Sequence, residues 1–181
     1  KRVGVSELAG KNSVISETKY KMGATVYDIS AATFIFGTDF DVIEPTPLSD
    51  LEKTNGTAVF LGTVFEKTSK EIRGSDKFSY TIGISDGACG AYIKLSESNE
   101  DGRMDWFKDL GTGTHIAVLG RMKRDRFDNE PAIIPRGIKK ISRDYRLDSS
   151  EEKRVELHLH TKMSMMDGMT DASVLVKRAI D

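Results

Sequence analysis

From Lys77 to Ser85 (KFSYTIGIS) the chain alternates without a break: Phe78, Tyr80, Ile82 and Ile84 fall on one side, Lys77, Ser79, Thr81 and Gly83 on the other. Residues two apart on a strand share a face, so the stretch reads as a strand with one face buried. Asp86-Gly87 is a hairpin turn signal. Ala88 to Leu95 then returns, with Ala91, Ile93 and Leu95 opposite Tyr92 and Lys94. A meander of this kind must hide its apolar face, which excludes an all-helical chain.

The neighbouring segments supply the cover. Thr57 to Phe65 (TAVFLGTVF) is a near-continuous apolar run, suited to a strand buried on both faces. Asp101 to Leu110 predicts a short helix that presents Met104, Phe107 and Leu110 on one face and stops at Gly111 and Gly113. His115 to Lys123 is a fourth strand with Ile116, Val118 and Met122 to one side, and a fifth runs from Ala132 to about Ile141. Three meandering strands, a short helix and two further strands form the order of the OB-fold, a five-stranded Greek-key barrel. The fold class expected is therefore mainly β, an OB-fold with its one short helix closing an end. Trp106 and Phe107 read as part of that plug, and Cys89 as a small buried strand residue.

The flanks differ. Residues 1–50 show no sustained period and end in Glu44-Pro45-Thr46-Pro47, an extended, linker-like element; they are expected to be mostly irregular, ahead of an OB domain at 51–145. Residues 146–154 are charged and nearly free of apolar side chains, a second linker. From 155, Val155 to His160 (VELHLH) alternates as a strand, and Ala172, Leu175, Val176, Ala179 and Ile180 trace a helical stripe. One strand and one helix cannot bury both faces of a sheet, so residues 155–181 are expected to open a domain that continues beyond the chain.

Composition narrows the function classes. Of 181 residues 38% are hydrophobic, ordinary for a folded domain, and 27 Lys+Arg against 28 Asp+Glu leave a net charge of −1. Nucleic acid would then have to be held by a local patch. One exists: residues 121–146 carry nine basic residues against four acidic ones. A single cysteine excludes an internal disulfide and suits a reducing, cytoplasmic location. No apolar run approaches the roughly 18 residues of a membrane span, and no membrane partner is expected.

Single-strand binders combine cations with aromatic platforms for bases. Tyr92 alternates away from the core and is the stacking candidate, with Lys94 beside it for phosphate. Lys67 and Arg73 sit around the first loop, and Arg121, Lys123, Arg124, Arg126 and Phe127 crowd the end of the fourth strand. In the C-terminal segment, His158 and His160 project from one face of the expected strand, and Asp167 follows in the next loop. Two imidazoles and a carboxylate suit a Zn²⁺, Mn²⁺ or Fe site; the alternative is two polar residues on the wet face of an edge strand.

Val155 to Asp167 (VELHLHTKMSMMD) resembles the first motif of the PHP (polymerase and histidinol phosphatase) domain. An OB-fold directly upstream, preceded by Glu44 to Leu48 (EPTPL), is similar to the PolC-type alpha subunits of bacterial DNA polymerase III. The most specific words are Arg154 to Thr161 and Glu71 to Arg73, and the similarity runs from about Phe34 to the end. The resemblance implies a parent polymerase that extends primers on a DNA template with Mg²⁺ and proofreads with a 3′–5′ exonuclease, alongside other replisome proteins. It implies Zn²⁺ or Mn²⁺ ligands at His158, His160 and Asp167, a truncated PHP domain (β/α barrel-like) from 155, and single-stranded template DNA as the partner of the OB domain. Lys162 stands where the family usually has proline, and Gly168 where alanine is common. Residues 1–181 alone are expected to be catalytically inactive. The alternatives are a metal-dependent PHP phosphoesterase, or an OB module that docks a protein and binds no DNA.

Overall fold

The apolar run Thr57–Phe65 opens a strand longer than the sequence suggests, β4 (Thr57–Glu71). In the computed structural model it is followed by β5 (Lys77–Ser85), β6 (Gly90–Ser98), the short helix α1 (Asp105–Asp109), β7 (His115–Arg124) and β8 (Pro131–Arg143). The structure describes residues 13–16, 18–23, 25–98, 104–125, 129–144, 151–152, 155, 158–164 and 168–180. Two compact units separate at Asp144, Lys1–Asp144 and Tyr145–Asp181.

Strands β4, β5 and β6 pair antiparallel in sequence, β6 pairs parallel with β8, β8 antiparallel with β7, and β7 antiparallel with β4. The five strands form a closed ring, and closure removes the unpaired edges that an open sheet leaves. The alternation read from the sequence gives its inside: Tyr80, Ile82, Ile84, Ala91, Ile93 and Leu95 are buried with Phe60, Val64, Ile116, Val118, Ile133 and Ile138. Phe107 of α1 and the residues that cap it, Met104 and Leu110, join this core, as their spacing predicts. Asp86 makes the β5–β6 turn: its carboxylate accepts the amides of Ala88 and Cys89 at 2.9 and 2.8 Å, and Gly87 takes φ +88°. Cys89 therefore lies in the turn, half-buried, and not on the strand.

The first fifty residues depart from expectation. Strands β1 (Ser13–Ser16), β2 (Lys19–Met22) and β3 (Thr25–Gly37) form an antiparallel meander, and β3 adds to the ring by pairing with β8. Tyr20, Met22 and Tyr27 build a second core there with Val42, Val59, Leu61, Ala117 and Ile141. Phe36 stacks on Trp106 of α1 at 5.1 Å between ring centroids, and Leu48 and Leu51, in a 3-10 turn at Leu48–Lys53, are buried in the first core. Two causes hide this from the sequence. Two of the strands have four residues each, and the β3–β8 register shifts twice, so no long period develops. The partner of β3 also lies more than a hundred residues away. Gly37 and Gly137 face one another in that pairing, and a Cβ on Gly37 would meet the Arg136 carbonyl, so the close approach requires glycine.

In the second unit the helix α2 (Ala172–Ile180) forms where the stripe predicts, with Lys162 paired to Asp171 at 2.5 Å ahead of its first turn. The expected strand at 155–160 is absent among the described residues, where Val155 and His158 to His160 carry no ladder pairing. A strand is stable only against a partner, and alternation alone does not supply one.

His115 opens β7 half-buried, its Nδ1 2.8 Å from the Thr63 hydroxyl, which lies 3.3 Å from the Tyr27 hydroxyl. Burial, with Arg143 adding to it, pushes the imidazole below its usual pKa near 6.5. The unfolded chain then binds the proton more tightly than the folded one, so stability is whole above about pH 6.5 and declines as pH falls toward the lowered value. Urea midpoints measured through that window should fall with pH, and His115→Gln should flatten the trend. Tyr27→Ala, in a fully buried position, should lower stability by about 3–5 kcal/mol. An unchanged urea midpoint would mean that the N-terminal strands are not part of the same cooperative core.

Candidate nucleic-acid interface

The strand periodicity that buries one side of β4–β6 lays out the other in rows. The ladders place Glu66, Gly83 and Tyr92 side by side, then Thr68, Thr81 and Lys94, then Lys70, Ser79 and Ser96. Successive rows lie about 6.8 Å apart, two residues along a strand. Hydroxyls, a glycine and two lysines make most of this surface, with one tyrosine at its end. Two adjoining hollows of about 540 and 370 Å³ lie along it.

Phe65 joins the surface beside a β-bulge. The β4–β5 register runs Val64↔Ile84 and then Glu66↔Gly83, which leaves Phe65 as the extra residue. Val64 is 1% exposed and Phe65, by ordinary alternation, 48% exposed; the inserted residue reverses the facing of the residues after it, so Glu66 joins Phe65 on the outer face and Lys67, opposite Ile82, turns inward. The Phe65 ring covers Gly83, where a Cβ would sit 2.5 Å from its Cζ, and meets Tyr92 edge-on at 6.0 Å between centroids. The apolar run by itself puts Phe65 in the buried strand. The signal that could have found it is Gly83, a strand glycine of the kind that marks close approach.

Tyr92 is 39% exposed, as its phase predicts. Lys94 is on the same face, ion-paired at 2.8 Å with Asp125 at the end of β7, both largely shielded from solvent. Lys67 is engaged elsewhere. Its ammonium donates to the Phe107 and Lys108 carbonyls at 2.8 Å each and sits 5.2 Å from the Phe107 ring centre, closing the C-terminal end of α1. Lys67 is a residue of β4 and not of a loop. Arg73 is exposed in the turn between β4 and β5, and Arg121 and Lys123 are exposed on β7. Arg124 bonds Glu52 and the Asn129 carbonyl, both at 3.0 Å. Arg126 and Phe127 lie outside the described residues. The structure thus gathers Tyr92, Lys94, Lys123 and Arg124 around the two hollows. Lys67 is turned to α1 and Arg73 lies in a turn, so neither lines them.

In the second unit the His158 and His160 rings lie 4.6 Å apart with their Nε2 atoms 2.5 Å apart, so both nitrogens face one point without a strand to hold them. Asp167 lies outside the described residues, among which no third histidine, cysteine or carboxylate joins the pair. Two neutral imidazoles of this kind are donors of the right class for a zinc-like ion. Gly168 packs against the Thr161 carbonyl, where a Cβ would have no room; the loop therefore excludes alanine as it stands.

Comparison with known proteins adds the wider context. The chain is similar to the PolC-type form of DNA polymerase III. Proteins of that name from Staphylococcus aureus and from its strains MW2 and USA300 are each 29% identical to it over 135 residues, 75% of the chain. The chain spans only 9% of the length of these relatives. No protein-family model matches it. Among the described residues no helix is long and apolar enough to cross a membrane.

Packing of Phe65 over Gly83 has a direct signature. The Gly83 Hα protons should appear shifted upfield by the ring current in a proton NMR spectrum, and Phe65→Leu should return them to ordinary values. Ordinary Gly83 shifts in the unsubstituted chain would mean that the ring does not lie there.

Proposed function

We propose that this chain is part of a DNA polymerase of the PolC type, and that its first unit is an OB-fold module which binds single-stranded DNA on the outer face of β4–β6. The observation that carries the binding role is the Phe65–Tyr92 pair on a sheet face otherwise made of hydroxyl residues, a glycine, two lysines and Glu66. Base–aromatic stacking contributes about 1–3 kcal/mol per base and tolerates any sequence, which suits a template. The order of elements and the closed ring support the OB-fold reading, and the likeness to PolC-type polymerases supports the parent activity. In that parent, primer extension with Mg²⁺, the exonuclease and the other replisome partners belong to residues outside this chain. The His158–His160 pair would hold a Zn²⁺ or Mn²⁺ ion as part of a PHP site, which supports the phosphoesterase reading only in company with further ligands.

Stacking leads over charge on this face. Lys94 is shared with Asp125, Arg124 with Glu52, and Lys67 with α1. Few cations are left for phosphate, and each phosphate contact contributes about −0.7 to the salt slope for a single strand. The slope should therefore be shallow.

Fluorescence anisotropy of a labelled oligothymidine tests the reading. Binding should saturate, and Phe65→Ala with Tyr92→Ala should weaken it at least about tenfold, the equivalent of ~1.4 kcal/mol. Asp125→Asn should strengthen binding severalfold, because it removes a negative charge from this face. No binding at low salt would end the DNA-binding role and favour a protein-docking module.

A further inference from the structure

Glu66 does not fit a surface that holds phosphates. It is exposed on the row that contains Gly83 and Tyr92, and it takes a long hydrogen bond of 3.4 Å from the Tyr92 hydroxyl. A carboxylate repels the backbone of a nucleic acid, yet this one stands beside the two rings where bases would stack. Its place follows from the bulge, which turns Glu66 to the same outer face as Phe65, so that Glu66 opposes Gly83. Base edges are the only part of a single strand that could donate to it.

The four bases differ in the groups they offer. An ionised carboxylate accepts and never donates, and its two oxygens favour two parallel N–H groups. Guanine alone presents such a pair on its Watson–Crick edge, the ring N1–H beside the exocyclic amino group. Adenine and cytosine each present one amino group next to a ring nitrogen that accepts. Thymine presents one N–H between two carbonyl oxygens, both of which repel a carboxylate. Unstacked bases of a single strand are free to be read on this edge.

We propose that Glu66 makes the Phe65–Tyr92 platform a guanine-preferring subsite within an otherwise sequence-tolerant single-strand surface. The proposal rests on the DNA-binding role proposed above. Guanine would stack against Phe65 and Tyr92 while its N1–H and amino group donate to the two Glu66 oxygens. The residue is specificity-determining, and stacking supplies the sequence-independent part of the affinity.

The test is competition anisotropy with oligothymidines that carry one central dG, dC, dA or dT. A single guanine cannot form a quadruplex, so affinity differences report the subsite. The dG oligonucleotide should bind about tenfold more tightly than the all-thymidine one, the range expected of a bidentate base contact. Glu66→Gln should reduce that ratio to below about threefold while leaving the affinity for oligothymidine the same or slightly higher. Equal binding of all four by the unsubstituted chain overturns the proposal and leaves the DNA-binding role standing. A guanine preference that survives Glu66→Gln overturns it too, since another group is then the reader. Failure to bind any of the four overturns the DNA-binding role itself and the subsite with it. Circular dichroism of Glu66→Gln checks that this exposed substitution keeps the fold.

Discussion

Every feature of the first unit depends on β8 being shared. Its thirteen residues pair with β6 at one end, with β7 along most of their length and with β3 at the other end. The parallel contact with β6, at Tyr92↔Ala132 and Ile93↔Ile133, closes the ring. Without it β6 would be an open edge carrying Tyr92 and Lys94, and the face proposed for DNA would be a template for aggregation. The pairing with β3 draws the N-terminal strands onto the same body and buries Tyr27 between them.

A ring closed in this way leaves one face of β4–β6 outward. Its chemistry is set by side chains that the core does not need. Hydroxyl residues alternate there with lysines, and Gly83 lets an aromatic ring lie on it. Phe65 faces outward by ordinary alternation and covers that glycine, and the bulge at Val64–Glu66 turns the next residue, a carboxylate, to the same face beside Tyr92. One inserted residue thus accounts for the acid beside the platform.

Much of this was legible in the sequence where the signal was local. The alternation of Lys77–Ser85, the Asp86-Gly87 turn, the apolar face of the short helix and the exposure of Tyr92 all follow from neighbours in the chain. The parts that were not legible are non-local. The strands of residues 13–37 exist because β8 receives them, and the alternation at 155–160 gives no strand among the described residues. The role of charges is also non-local: Lys67 reads as a loop cation until α1 is seen beneath it, and Lys94 reads as free for phosphate until Asp125 comes to meet it. Glu66 shows the same limit, since a register shift that reverses a side chain leaves no mark in composition.

Amide chemical-shift mapping of the isotope-labelled chain titrated with oligothymidine tests the central claim most directly, because it locates the contact without a substitution. The account predicts that the largest shifts fall on Phe65 to Lys70, Ser79 to Gly83 and Tyr92 to Ser96, with the N-terminal strands and α2 unmoved. Shifts concentrated on β1–β3 or on the second unit, or none anywhere, would contradict it.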